Sequence, residues 1–149
     1  MTNDNIPALK HFTQEDAWTL GSLMREEAIK HGYPIVIDIR RGDAPVFSVM
    51  LDGASGNNFD WARRKRNLVL LTEVSSWQHS QEKAKGKDII EMMGLNPRDY
   101  TPHGGCVPIF VEGAGLVATV TVSGLPQKED HDFVVESLRK LVTTQQAEQ

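Results

Sequence analysis

Two pairs of short apolar segments, each joined by a tight turn, constrain the fold of this chain most strongly. "PIVIDIR" and "PVFSVMLDG" flank the turn "RGDA", and "VPIFVE" and "LVATVTVSG" flank "GAG". Runs of β-branched and apolar residues on either side of a glycine-containing turn predict β-hairpins. Because a hairpin joins antiparallel neighbours, the chain is predicted to contain a mostly antiparallel sheet.

Helical patterns surround the two hairpins. Thr13, followed by polar and acidic residues, predicts a capped helix start, and Gly32 predicts the end of that helix. Two helices are predicted between the hairpins, over about 59–77 and 81–93, and a last one from about residue 127. The order of elements therefore predicts an α+β domain and not a doubly wound sheet.

Composition limits the class of protein. The chain has 149 residues, of which 40% are hydrophobic and 24% charged, and its net charge is -4. We expect one domain over 1–149, with flexible ends at 1–11 and 143–149. The mild negative charge disfavours a nucleic-acid partner, and no run approaches the ~18 apolar residues of a membrane span. Without a signal-peptide pattern, we expect a soluble cytoplasmic protein.

Several familiar motifs lack the surrounding residues that their usual function requires. "GAGLVA" leads into a strand, whereas dinucleotide binding requires a helix after the glycines. "HGG" resembles an esterase oxyanion loop, but the chain has no G-x-S-x-G nucleophile motif. Cys106 is the only cysteine, so no intramolecular disulfide can form, and with His103 and His131 it lacks the usual zinc-ligand spacing. No metal site is predicted.

The basic run "WARRKR" carries a stronger signal. On a helix, Trp61 and Leu68 share a face, and Arg64 and Lys65 fall between them. At least one cation therefore points along the apolar side of the helix. It needs a carboxylate such as Glu73, a subunit interface or an anionic ligand, unless its long stem carries the charge to solvent.

Histidines offer a second hypothesis. His131 follows Asp130 at the start of the last predicted helix, and His103 precedes a predicted strand. Each can be an ordinary polar residue. If the two meet in one cleft with Lys65, they form a candidate catalytic pair for acid–base chemistry.

The segments "WARRKR", "SS", "HGGCVPI" and "GLVATVTVSGLPQKEDHDFVVESL" resemble the GlcG/HbpS-like superfamily, also called the haem-degrading-domain family. Within it, the resemblance is to a subgroup of small uncharacterised proteins. It spans roughly 52–141. It implies a profilin-like fold, with an antiparallel sheet of about five strands, helices on both faces and assembly into homo-oligomers. Relatives that bind haem or corrinoids make haem a candidate cofactor.

Position by position, the resemblance also implies a set of ligand-binding residues. Cys106 and Val107 depart from the family pattern beside this set. The residues that match the family motif are Arg64, Lys65, His103, Gly104, Gly105, Ser123, Gly124, Asp130 and His131.

Three functions follow as hypotheses. The first is a homo-oligomeric protein that binds a small ligand, either haem or another anionic metabolite, without an established reaction. The second is an enzyme that uses His103 and His131 as acid and base on a small anionic substrate held by Lys65. The third is a structural or assembly protein in which the basic helix and the glycines only build interfaces.

Overall fold

The computed structural model describes residues 6–148. These residues form five helices and four strands. In chain order they are α1 Gln14–His31, β1 Val36–Arg41, β2 Ala44–Met50, α2 Gly56–Thr72, α3 Ser76–Ala84, α4 Ile89–Met93, β3 Cys106–Val111, β4 Gly115–Ser123 and α5 Gln127–Ala147.

The strands form one antiparallel sheet in the order β2-β1-β4-β3. Both predicted hairpins and the α+β class are confirmed, but the described sheet has four strands and the expectation of about five was wrong. Beyond β3, Leu9 forms a single bridge to Val111. Pro7, two residues earlier, has no N–H with which to extend that pairing into a strand.

The two faces of the sheet carry different side chains. Successive residues of a strand point to opposite faces, and one face is apolar, with Ile37, Ile39 and Val120 packed in a core with α1 and α5. On the other face the alternate positions are polar, including Asp38 and Thr121. That second face is covered by α2, which packs against β1, β3 and β4. Helices therefore lie on both faces of the sheet.

The helices between the hairpins are broken more often than the sequence predicted. α2 ends at Thr72 because Glu73 adopts a left-handed conformation, and Ser75 then caps α3 by accepting a hydrogen bond from Gln78 N. Gly86 follows α3 with a φ of 86°, so the predicted helix 81–93 becomes two short helices. α1 begins and ends as predicted, with Thr13 and Gly32 as its caps.

The ends of the described chain make contacts that the sequence did not predict. Gln145, within the stretch expected to be flexible, is buried and hydrogen bonds to Lys10 N and His11 O. Leu9 is also buried. Residues 1–5 and 149 of the predicted flexible ends lie outside the described residues. Among the helices of residues 6–148, none has the length and apolar character needed to cross a membrane.

Candidate functional site

A buried ion pair joins α2 to α5. Lys65 Nζ lies 3.1 Å from Asp130 Oδ2 and donates a second hydrogen bond to Val122 O, also at 3.1 Å. The two side chains are 4% and 2% exposed. Leu125 N donates to the other oxygen of Asp130. The inward cation predicted from "WARRKR" is therefore Lys65, and its partner is a carboxylate of the last helix and not Glu73.

Gly105 makes the ion pair possible. A Cβ at this position would lie 2.6 Å from Lys65 Nζ and 2.4 Å from Val122 O, both inside van der Waals contact. Its φ of 138° is also one that residues with a side chain rarely adopt. The glycine predicted to allow close approach thus opens the space through which the Lys65 amine reaches α5.

Burial shifts the pKa values of both partners away from their ordinary ranges. Removal from water lowers the pKa of the Lys65 amine, although the nearby Asp130 carboxylate opposes this shift. Burial also raises the pKa of Asp130 to about 6, despite the opposing effect of Lys65 and of backbone N–H donors. A proton shared between these two groups therefore moves at a lower cost than between an exposed lysine and an exposed carboxylate.

Lys65 and Asp130 line a small open cleft of about 230 Å³, which we call the Lys65 cleft. It lies where the end of β4 meets the start of α5 and the side of α2. Its lining consists of Asn58, Trp61, Lys65, His103, Ser123, Gly124, Leu125, Gln127 and Asp130. Five of the nine predicted site residues are thereby brought together, namely Lys65, His103, Ser123, Gly124 and Asp130.

Most polar groups of the cleft that have no hydrogen-bond partner within residues 6–148 are donors. The side-chain oxygen of Asn58 accepts a hydrogen bond from Ser55 N, and that of Gln127 accepts one from Gly104 N. The NH₂ groups of both side chains therefore remain available as donors. The Ser123 hydroxyl has no hydrogen bond within residues 6–148. Lys65 uses two of its three N–H groups. Such a set of donors suits a ligand that presents oxygen acceptors.

His103 stands at the edge of this cleft. Its Nδ1 lies 2.7 Å from Thr101 Oγ1, and its ring meets the Trp61 ring edge-on at 4.9 Å between centroids. Burial, followed by the positive charges of Lys65 and its neighbours, lowers the pKa of His103. The imidazole is therefore neutral at pH 7. Arg64 does not line the cleft; its guanidinium stacks 4.5 Å from the Trp61 ring and donates to Pro97 O.

His131 lies elsewhere. It lines a larger groove of about 770 Å³, the α5 groove, together with Tyr33, Trp77 and Phe133. Consecutive residues of a helix point about 100° apart, so with Asp130 directed at Lys65, His131 is turned away from the cleft. Within one subunit the predicted meeting of His103, His131 and Lys65 in one cleft does not occur.

The imidazole of His131 has no hydrogen bond within the described residues, and its Nδ1 is buried. Burial lowers the pKa of His131, so the ring is neutral at pH 7. Its ring centroid lies 6.1 Å from that of Trp77. A neutral imidazole with no partner in the chain is a group that a ligand in the α5 groove can use.

A second basic residue of "WARRKR" is also buried. Arg66 Nη1 lies 3.0 Å from Asp38 Oδ2 on β1, and Arg40 Nε reaches the same oxygen at 2.9 Å. This pair lies on the α2 face of the sheet, outside the Lys65 cleft. Two cations of the basic run, Lys65 and Arg66, thus pair with buried carboxylates, and the others lie towards the surface.

The remaining predicted residues support the cleft and do not line it. Gly104 donates its N–H to Gln127, and a Cβ there would lie 2.6 Å from Gln127 O. Burial raises the pKa of Cys106 to about 12, so it is a thiol and not a nucleophilic thiolate. In residues 6–148 no three histidine, cysteine or acidic residues are grouped to hold a metal ion.

Sequence reasoning missed four residues of the cleft lining: Asn58, Trp61, Leu125 and Gln127. Trp61 and Gln127 lie one helical turn before Lys65 and Asp130, so helical spacing could have placed them beside the ion pair. Asn58 lies in the first turn of α2, two helical turns before Lys65, and Ser55 is the N-cap of that helix. Asn58 and Gln127 contribute much of the donor set, and Trp61 forms the aromatic wall.

Comparison with known proteins places this chain in a family. The model of the haem degrading protein HbpS-like family matches residues 12–139. The chain belongs to the HbpS-like family. A UPF0303 protein of Acidobacterium capsulatum is 45% identical over 130 residues, covering 87% of this chain and 79% of that protein. The resemblance stated from the motifs is thereby confirmed.

Solved structures extend the likeness to the whole HbpS-like fold. The crystal structure of the Ybr137w protein matches with a TM-score of 0.86 and 28% identity, covering 95% of this chain and 84% of that one. A complex of PduOC with haem matches with a TM-score of 0.73 and 15% identity, covering 88% and 94%. At that identity the second likeness shows the shared fold alone.

Proposed function

We propose that this protein binds a small carboxylate in the Lys65 cleft. The observation that carries the proposal is the set of spare donors on the cleft wall: the third N–H of Lys65, the Ser123 hydroxyl and the NH₂ groups of Asn58 and Gln127. The charge of Asp130 is already matched by Lys65, and its two oxygens already accept hydrogen bonds. A ligand that brings acceptor oxygens therefore complements the cleft.

The size of the cleft supports a small ligand. Its volume of about 230 Å³ lies below the ~300–1,000 Å³ typical of sites for larger organic molecules. Trp61 supplies one aromatic wall, and the stack of Arg64 on that ring supports its orientation. A ligand of a few carbon atoms with one carboxylate fits both the volume and the donors.

Calorimetric titration with lactate tests this function, because lactate is a small carboxylate with no reactive carbonyl. Wild-type protein is expected to bind it with a measurable Kd. Ser123→Ala is expected to weaken binding about tenfold, since it removes one hydrogen bond to a charged group. Ser48→Ala, on exposed β2, is the matched control and should leave the Kd unchanged. Equal binding by both variants would contradict the proposal.

Haem is a second candidate ligand, and the α5 groove favours it over the Lys65 cleft. The groove of about 770 Å³ has the volume and the aromatic residues for a large planar group, and Lys128, Arg139 and Lys140 can pair with its propionates. The neutral imidazole of His131 is the form that ligates iron. Bound there, haem would supply a redox-active iron.

A haemin titration separates the two sites. If the α5 groove binds haem, micromolar protein shifts the Soret band, His131→Ala abolishes the shift, and His103→Ala retains it. The absence of a shifted band with the wild-type protein would remove haem as a ligand. A shift that survives in His131→Ala and is lost in His103→Ala would move the haem site to the cleft.

Self-association is part of the same proposal. α4 has no buried residue, and its Met92 and Met93 are 68% and 50% exposed. Exposed apolar side chains in adjacent positions favour contact with another protein surface. A homo-oligomer is expected in light scattering coupled to size-exclusion chromatography. The assembly hypothesis differs in one result: Lys65→Ala would dissociate the oligomer, whereas a binding role predicts an intact oligomer that has lost its ligand.

A further inference from the structure

The Lys65 amine has the surroundings of a nucleophile. Its side chain is 4% exposed yet lines an open cleft, so its nitrogen meets a ligand without a full shell of water. Asp130 Oδ2 lies 3.1 Å from Nζ, within reach to take a proton from it. Lys85 has neither feature, because its side chain is 69% exposed and its Nζ lies 3.9 Å from Glu82 Oε1, beyond hydrogen-bond distance. Lysines whose amine is desolvated, as that of Lys65 is, react with carbonyl groups at neutral pH.

We propose that Lys65 forms an imine with the carbonyl group of a small 2-oxo carboxylate bound in the Lys65 cleft. The inference rests on the proposed function, because the spare donors of Asn58, Ser123 and Gln127 hold the carboxylate of this ligand. It adds a reaction that binding alone does not require. A carbonyl next to the carboxylate of such a ligand lies within one bond of the bound group, which brings its carbon towards the amine.

The step balances without any other reactant. The Lys65 ammonium gives one proton to Asp130, and the freed lone pair of Nζ attacks the carbonyl carbon. The carbonyl oxygen takes up that proton, giving a carbinolamine. Asp130 then carries a second proton from nitrogen to oxygen, the C–O bond breaks, water leaves and the C=N bond forms. The ammonium and the ketone have become a protonated imine and water.

Charge conservation makes this step suited to a buried site. The protonated imine carries the same positive charge as the ammonium it replaces, so Asp130 keeps a cation beside it. Losing one partner of a buried ion pair would instead leave an unpaired charge in the interior, which is strongly destabilising. The remaining N–H of the imine is enough for the hydrogen bond to Asp130, while the bond to Val122 O and the third N–H are given up.

Trapping with pyruvate and sodium cyanoborohydride tests the inference. The reductant converts an imine into a stable secondary amine, and peptide mass spectrometry of the full-length wild-type protein locates it. At neutral pH the labelling of Lys65 is expected to exceed that of Lys85 at least tenfold. Lys65→Arg should abolish this label, and Lys85→Arg should leave it unchanged. Asp130→Asn, which keeps the amine and removes the proton carrier, should slow it at least tenfold.

The outcomes separate this inference from the function on which it rests. Labelling of Lys65 no greater than that of Lys85, in protein that binds lactate, overturns the imine and leaves carboxylate binding standing. Failure to bind either lactate or pyruvate overturns both. Because the site of labelling is read on the wild-type protein, the test does not depend on the folding of any variant.

Discussion

The two faces of the sheet are buried against helices by different means. On the face under α1 and α5, apolar residues such as Leu20, Ile39 and Leu138 pack into one core. On the face under α2, the buried groups include two ion pairs, Lys65–Asp130 and Arg66–Asp38. The apolar face gains free energy from every side chain removed from water, whereas the charged groups must first be desolvated.

The two faces differ in what they contribute to stability and to the chemistry of the site. Buried ion pairs are often no more stabilising than apolar residues of the same size, so a polar face is weak evidence for added stability. The same groups carry shifted pKa values and border the Lys65 cleft, which the apolar core does not. We infer that the α1 and α5 face holds the fold and that the α2 face carries the binding site.

The largest expected effect comes from breaking an ion pair on the α2 face. Asp38→Ala leaves Arg66 buried without its carboxylate and also removes the partner of Arg40. The free energy of unfolding in urea should fall by about 3 to 5 kcal/mol. Asp132→Ala, which breaks an exposed pair with Lys128, should change it by less than about 1 kcal/mol. Equal losses would mean that burial does not set the value of these pairs.

A truncation in the apolar core gives the matching effect on the other face. Leu138→Ala removes a side chain that is 1% exposed and should lower the free energy of unfolding by about 2 to 5 kcal/mol. Ile29→Ala, on exposed α1 surface, should change it by no more than about 0.5 kcal/mol. Lactate binding by Leu138→Ala should be unchanged while the protein remains folded. If Leu138→Ala weakened lactate binding as much as Ser123→Ala does, the claim that the two faces have separate roles would be wrong.

Stability should depend on pH through Asp130. Its folded pKa of about 6 is above the unfolded value of 3.8, so the folded state binds the extra proton between these values. The contribution of this group is therefore fully present below about pH 4 and is lost as pH rises through 6, by roughly 1 to 3 kcal/mol. Urea unfolding of wild-type protein and Asp130→Asn between pH 4 and 7 measures it. An identical pH slope for the two proteins would refute the raised pKa.

The smallest expected effect is at a hydroxyl of the α2 face. Thr119 Oγ1 is buried and has no hydrogen-bond partner within residues 6–148. Thr119→Val keeps the shape and removes the unsatisfied group, so the free energy of unfolding should stay equal or rise by up to about 1 kcal/mol. A loss of more than about 1 kcal/mol in urea unfolding would show that the hydroxyl has a partner, such as a buried water.

The sequence predicted most of the fold because its signals are local. Both hairpins were marked by apolar runs around glycine turns, and α1 by Thr13 and Gly32. The break between α2 and α3 was missed because it depends on Glu73, a residue type that seldom takes the left-handed conformation. The fifth strand, implied by the family resemblance, is reduced in the described residues to the bridge at Leu9.

The site was predicted only in part, for a physical reason. Helical spacing showed that a cation of "WARRKR" must point inward, but not that its partner would be Asp130, 65 residues away. Such a pairing depends on how α2 and α5 meet across the sheet. The separation of His131 from His103 was open to prediction, because neighbours on a helix point in different directions and Asp130 could not share its direction with His131.

The most direct test of the central claim is a lactate titration followed by ¹H–¹⁵N NMR of the wild-type protein. If the Lys65 cleft is the binding site, saturable shifts should centre on the amides of Gly104, Ser123 and Gly124, while those of Tyr33 and Phe133 in the α5 groove stay in place. Shifts confined to the α5 groove, or no saturable shift at all, would contradict the claim that the polar face of the sheet ends in a carboxylate site.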